Sequence, residues 1–155
     1  DSIKAINFST PPEAMQCAVN ILNSIGAIGY LSEKNNPNKI LNECQDKNIP
    51  ILAIRAVQAG ALTLSMDREP HSSGLDEDDF KDFEKAMPFR KFAENIGENP
   101  ASLAHRYALS VDKVSSVILG VKNRAELIEC IAAEEKGQLE KEMLSKMDNL
   151  FESVK

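Results

Sequence analysis

Apolar runs of strand length alternate with amphipathic helical stretches four times along this chain, and that alternation restricts its fold more than any other feature. The clearest run is Ile49-Pro50-Ile51-Leu52-Ala53-Ile54. A nearly continuous apolar stretch of this kind marks a strand covered on both faces, as in parallel sheets. Ile3 to Phe8 reads as a first strand, and Ser9-Thr10-Pro11-Pro12-Glu13 supplies a cap and prolines for a helix from Glu13 to Leu22. Ile25 to Leu31 reads as a second strand, and the loop Asn35-Asn36-Pro37 leads into a helix from Asn38 to Lys47, with Asn48 as a left-handed residue at its end. Helices are expected over Phe89 to Ile96 and Pro100 to Leu109. Val114 to Leu119 follows as the last strand, then helices from Arg124 to Glu135 and from Leu139 to Phe151. Residues 64–88 break the rhythm as a long loop, in which the acidic run Asp76 to Asp79 reads as a solvated helix start. The whole predicts a mainly parallel α/β sheet with right-handed crossovers.

Composition narrows the partners. Asp and Glu number 24 against 18 Lys and Arg, a net charge of −6, which disfavours nucleic acid because phosphate neutralisation needs clustered surplus cations. No window approaches the roughly 20 apolar residues of a membrane span, and Asp1-Ser2-Ile3-Lys4 does not open a signal peptide. A soluble, cytoplasmic protein with no membrane partner is expected. Cys17, Cys44 and Cys130 are widely spaced with no Cys-x-x-Cys, so they read as buried reduced thiols and no metal site is assigned. His71 and His105 have no Ser or Asp arrangement of triad type around them.

In parallel α/β sheets the working face lies at the carboxyl ends of the strands. That rule selects Asn7 to Thr10, Tyr30 to Asn36, Arg55 to Thr63 and Gly120 to Arg124. Gly120-Val121-Lys122-Asn123-Arg124 joins a glycine, two cations and a helix start, a combination that suits phosphate. On these residues alone, an ordinary strand-to-helix turn with surface cations weighs more. No Gly-x-Gly-x-x-Gly or Walker motif is present.

Taken together, Ile49 to Arg55 with Gly60-Ala61-Leu62-Thr63, the helix Pro100 to Leu109, Val114 to Arg124, and Leu127 to Leu150 with Gly137-Gln138-Leu139 resemble the C-terminal half of the aldo-keto reductase family. The resemblance implies a (β/α)8 TIM-barrel type of fold with only the C-terminal half present, four βα units, five to eight, plus a C-terminal helix. Residues 1–155 then form one half-barrel domain, with 64–88 as a long loop and 138–155 as the terminal helix segment. A barrel of this type typically takes about 250 residues. The chain starts at Asp1 without Met, and it reads as a piece of something larger.

What the resemblance implies for chemistry is NADP-dependent reduction of aldehydes or ketones. The family's catalytic Tyr, Lys, His and Asp come from the barrel's first half, so no catalytic residue is assigned here and the chain alone is expected to be inactive. Tyr30 and Tyr107 do not occupy the catalytic tyrosine's motif. The cofactor-binding residues implied are Asn7, matching the Asn that holds the nicotinamide carboxamide, then Arg55, Gly60 and Leu62 in the loop around the pyrophosphate. Gly120, Lys122, Asn123 and Arg124 match the loop that receives the adenosine 2′-phosphate. Ile6, Ile54, Glu126 and Cys130 stand where the family often has Ser, an aromatic, Gln or Arg, and Asn. A catalytically inactive binding or regulatory module and an open α/β domain without cofactor are the alternative readings. Expected partners are a small carbonyl substrate in the parent protein and either the missing N-terminal half or a second copy.

Overall fold

The computed structural model describes residues 2–24 and 37–154. Three strands, β1 (Met15–Ala18), β2 (Ile51–Ile54) and β3 (Val114–Val117), form a parallel sheet in the order β1-β2-β3. Each strand lies beside the one before it in sequence. Consecutive parallel neighbours of this kind form the wall of a barrel and equally one half of a doubly wound sheet. β1 and β2 pair from Met15↔Ile51 to Ala18↔Ile54. β3 carries an irregularity, with Ile51 opposite Val114 but Leu52 opposite Ser116.

Around the sheet lie α1 (Ser2–Ile6), α2 (Ile21–Ser24), α3 (Pro37–Asp46), α4 (Glu77–Lys85), α5 (Met87–Asn95), α6 (Pro100–Ser110), α7 (Arg124–Lys136) and α8 (Lys141–Asp148). α6 starts where its sequence says it should. The Asn99 side chain accepts hydrogen bonds from the amides of Ala101 (2.8 Å) and Ser102 (3.2 Å), and Pro100 follows the cap. Asn48 has φ 56°, the left-handed conformation expected after α3. The acidic run opens α4, so the connection after β2 is shorter than the expected loop of residues 64–88.

The first unit differs from expectation. Ile3 to Phe8 is not a strand: residues 2–6 form α1, whose Ile6 is fully buried against α3 while Phe8 is exposed. The expected helix from Glu13 to Leu22 is replaced by β1 and the short α2. Cys17, Val19 and Ile21 are all buried and lie two apart, a strand period that coexists with the three-and-four spacing of Ala14, Cys17, Ala18, Ile21 and Leu22. Pairing with β2 decides between the two periods. The expected strand Ile25 to Leu31 lies outside the described residues, so three strands rather than four are seen among those described.

The core has two parts. Ile51 and Ala53 on β2 pack with Cys17, Val19, Leu41 and Cys44 between the sheet and α3. Leu62, Phe89, Leu103, Tyr107 and Met147 fill a second cluster among the helices. Burial of a side chain such as Phe89 or Leu103 contributes roughly 1.5–3 kcal/mol. Leu52 and Ile54, on the other face of β2, are only half-buried. Cys17 and Cys44 are buried free thiols, and burial together with Cys44 pushes the Cys17 thiol up to about 11. No described helix is long and apolar enough to cross a membrane.

Candidate functional site

Beyond the carboxyl end of β2 the chain makes a tight turn through Arg55, Gln58, Ala59 and Gly60, with φ of 57°, 47°, 53° and 97°. Three non-glycine residues in the left-handed region cost of order 1–3 kcal/mol each, and such backbone persists only where its surroundings over-determine it. Here the surroundings are a buried polar network. The Asn20 side-chain amide donates to the Arg55 carbonyl and to Gln58 Oε1, both at 2.9 Å, and Asn20 Oδ1 accepts from the Leu22 amide at 3.0 Å. Gln58 Nε2 donates to Asp82 Oδ2 at 2.7 Å, and Arg55 Nε donates to Gln58 Oε1 at 3.1 Å. Asn20, Gln58 and Asp82 are buried.

Two arginines tie the following segment to α4. Arg55 and Arg68 hold opposite oxygens of the Asp79 carboxylate, at 2.8 and 2.9 Å, and Arg68 also donates to the Ala59 carbonyl at 2.9 Å. Arg90, stacked 3.7 Å from the centre of the Phe83 ring, donates to the Ala61 carbonyl at 2.9 Å. Neither Asn20 nor Asp82 stands out in the sequence. The one local signal is a polar residue inside the apolar stretch Val19-Asn20-Ile21-Leu22.

Opposite this turn, the chain leaves β3 through Ile118 to Arg124 and enters α7. The Asn123 side chain caps α7 by accepting from the Glu126 amide at 3.0 Å, while the Glu126 carboxylate accepts from the Lys122 amide (2.8 Å) and from Asn123 Nδ2 (3.0 Å). The arrangement is a variant of the capping box, with the Glu126 carboxylate on the amide one residue before the cap rather than on that of the cap itself. The Lys122 ammonium is paired across the mouth with Asp67, whose carboxyl it holds below the usual range.

Between the two walls lie adjoining hollows of about 320 and 420 Å³. The first is lined by Arg55, Ala59, Ser102, His105, Gly120 and Cys130 among others, the second by Gly60, Asp67, Arg68, Lys122, Glu126 and Glu129 among others. Both volumes fall in the range of small-molecule and cofactor clefts. A Cβ on Gly120 would meet nothing within 4 Å, so that residue opens onto free space. His105 is 8% exposed, burial depresses its pKa, and its Nδ1 has no hydrogen-bond partner while Nε2 lies 3.5 Å from Cys130 Sγ.

Of the residues singled out in the sequence, Arg55, Gly60, Gly120 and Lys122 line these hollows. Asn123 caps α7 beside them, and Arg124 is the exposed first residue of that helix. Leu62 is fully buried in the helical core cluster. Asn7 follows α1 rather than a strand, is exposed, and donates to the Ile3 carbonyl at 2.9 Å and to Glu43 on α3 at 3.4 Å, outside the lining of either hollow. Among the described residues no three His, Cys, Asp or Glu side chains are grouped to hold a metal ion.

The sheet order, the helical layer and the cleft at the strand ends agree with the comparison to known families. A model of the Aldo/keto reductase family matches residues 1–152. No curated protein matches the chain. The match covers nearly the whole sequence, and the chain belongs to the aldo/keto reductase family, which implies a TIM-barrel fold and NAD(P)-dependent oxidoreductase chemistry, with NADP(H) the general cofactor.

Proposed function

We propose that this chain is the C-terminal, cofactor-binding half of a cytoplasmic carbonyl oxidoreductase, with α1 standing as the helix that precedes the sixth barrel strand. The observation that carries this reading is the cleft between Arg55–Thr63 and Gly120–Arg124, at the carboxyl ends of β2 and β3. Its residues fit a nicotinamide dinucleotide. Gly120 keeps the backbone open to a ligand, Gly60 gives the turn its positive φ, Arg55 and Arg68 place guanidinium groups shared with Asp79 along one wall, and His105 lines the first hollow. The bound dinucleotide supplies the hydride for carbonyl reduction. This chain's share is to hold and orient it, and Asn7 takes no part in our assignment because of its position beyond α1.

The proton donor in this reading belongs to another part of the protein. Tyr107 is buried in the core, where burial and Asp148 raise its hydroxyl well above the ordinary value, so it does not serve the cleft. Tyr30 lies outside the described residues. The apolar side chains of Leu127, Ile128 and Ile131 are 45–54% exposed along α7, which supports a covering partner, the other half of a barrel or a second copy.

The test uses the fluorescence of reduced dinucleotides, read without interference because the chain has no Trp. Titration with NADH and NADPH should show saturable binding of at least one. Gly120→Leu should abolish it with an unchanged thermal melt, because the added side chain enters open space and not the core. Binding of neither dinucleotide, or equal binding by Gly120→Leu, overturns the reading.

A further inference from the structure

Resting on that reading, we propose that Glu126 makes the cleft selective for the dinucleotide without a ribose phosphate, NAD(H) rather than NADP(H). A phosphate on the wall formed by Gly120 to Arg124 needs donors, and in this structure the chain's own carboxylates hold them. The Lys122 amide and the Asn123 side-chain amide both donate to Glu126, and the Lys122 ammonium is paired with Asp67. The Glu126 amide, one of the free donors at the start of α7, is taken by Asn123.

The charge balance of the wall points the same way. Asp67, Glu126 and Glu129 all line the second hollow, and Glu126 and Glu129 also line the first. Lys122 and Arg68 are the cations in that second lining, and Arg68 is already committed to Asp76 and Asp79 on the opposite wall. A phosphate dianion entering here meets three carboxylates and has to break the Lys122 pair. A ribose with two free hydroxyls meets the same carboxylates as acceptors, and an acidic residue accepting from the ribose 2′-hydroxyl is the general device for choosing the unphosphorylated dinucleotide.

The experiment is a paired titration of the 155-residue chain and Glu126→Gln with NADH and NADPH, at two salt concentrations. Gln keeps the size and the acceptor oxygen, so the α7 cap survives, and thermal melts check it. Wild type should bind NADH more tightly than NADPH, on the order of tenfold, the scale of one partly screened like-charge contact. Glu126→Gln should close most of that gap by improving NADPH, and Asp67→Asn should move it in the same direction by freeing Lys122. Tighter NADPH than NADH binding by wild type overturns this inference and leaves the proposed function standing. A gap that Glu126→Gln does not change overturns the assignment to Glu126. Binding of neither dinucleotide overturns both.

Discussion

On one side of the cleft, the turn from Arg55 to Gly60 is fixed by buried side chains from three separate stretches, Asn20, Gln58 and Asp82, and by two arginines sharing Asp79. On the other side, Gly120 to Arg124 is exposed, held by the Asn123 cap, the Glu126 carboxylate on the Lys122 amide and one solvent-facing ion pair. The first wall has its shape set by the fold. The second is set by a few surface charges, so its ligand preference can change with little effect on stability. A rigid wall for the invariant part of a ligand and an adjustable wall for its variable part follow from that difference.

The largest effect should come from breaking the braced wall. Gln58→Leu removes the 2.7 Å donor to the buried Asp82 carboxylate and one acceptor of Asn20, and should destabilise the chain by about 3 kcal/mol, measured by urea unfolding. Asn123→Ala on the other wall should cost about 1 kcal/mol through loss of the α7 cap. If the two losses were equal, the contrast between the walls would be wrong.

A pH titration sharpens the contrast between the floor and the rim. The ring of His105 is depressed by burial below its ordinary value of 6.5, so the unfolded chain binds its proton first. Stability should hold on the neutral plateau above 6.5 and fall as pH drops from there toward the folded-state value. His105→Asn should lose this part of the slope, whereas Lys122→Ala should keep it. Smaller still is the effect of the surface itself. Ile128→Lys with Ile131→Lys should change stability by under ~0.5 kcal/mol, since both side chains are about half exposed, while any self-association seen by sizing should disappear. Asp67→Asn should likewise leave the melt within ~0.5 kcal/mol of wild type.

Much of the fold was legible because the signals were local. Asn48 after α3, Asn99 and Pro100 before α6, and the apolar run of β2 each carry their own explanation. Met15 to Ala18 was not legible, because over so short a window the strand period and the helix period select overlapping residues. The exposed face of α7 runs against expectation for another reason: Leu127, Ile128 and Ile131 form an apolar stripe, but sequence does not say which element covers it. At the site, the glycines and cations of both walls stand out in the sequence. The brace does not, because Asn20, Gln58 and Asp82 meet only once β1, the turn after β2 and α4 are placed together. Asn7 shows the same dependence, since its assignment presumed a strand where the chain forms α1.

The central claim, that a nicotinamide dinucleotide lies between these two walls, is tested most directly by mapping amide chemical shifts while NADH is added. Saturable shifts should concentrate at Ala59, Gly60, Ala101, Gly120 and Lys122, with α8 unaffected. Shifts that cluster on α1 and α3, or none at millimolar NADH and NADPH alike, would contradict it.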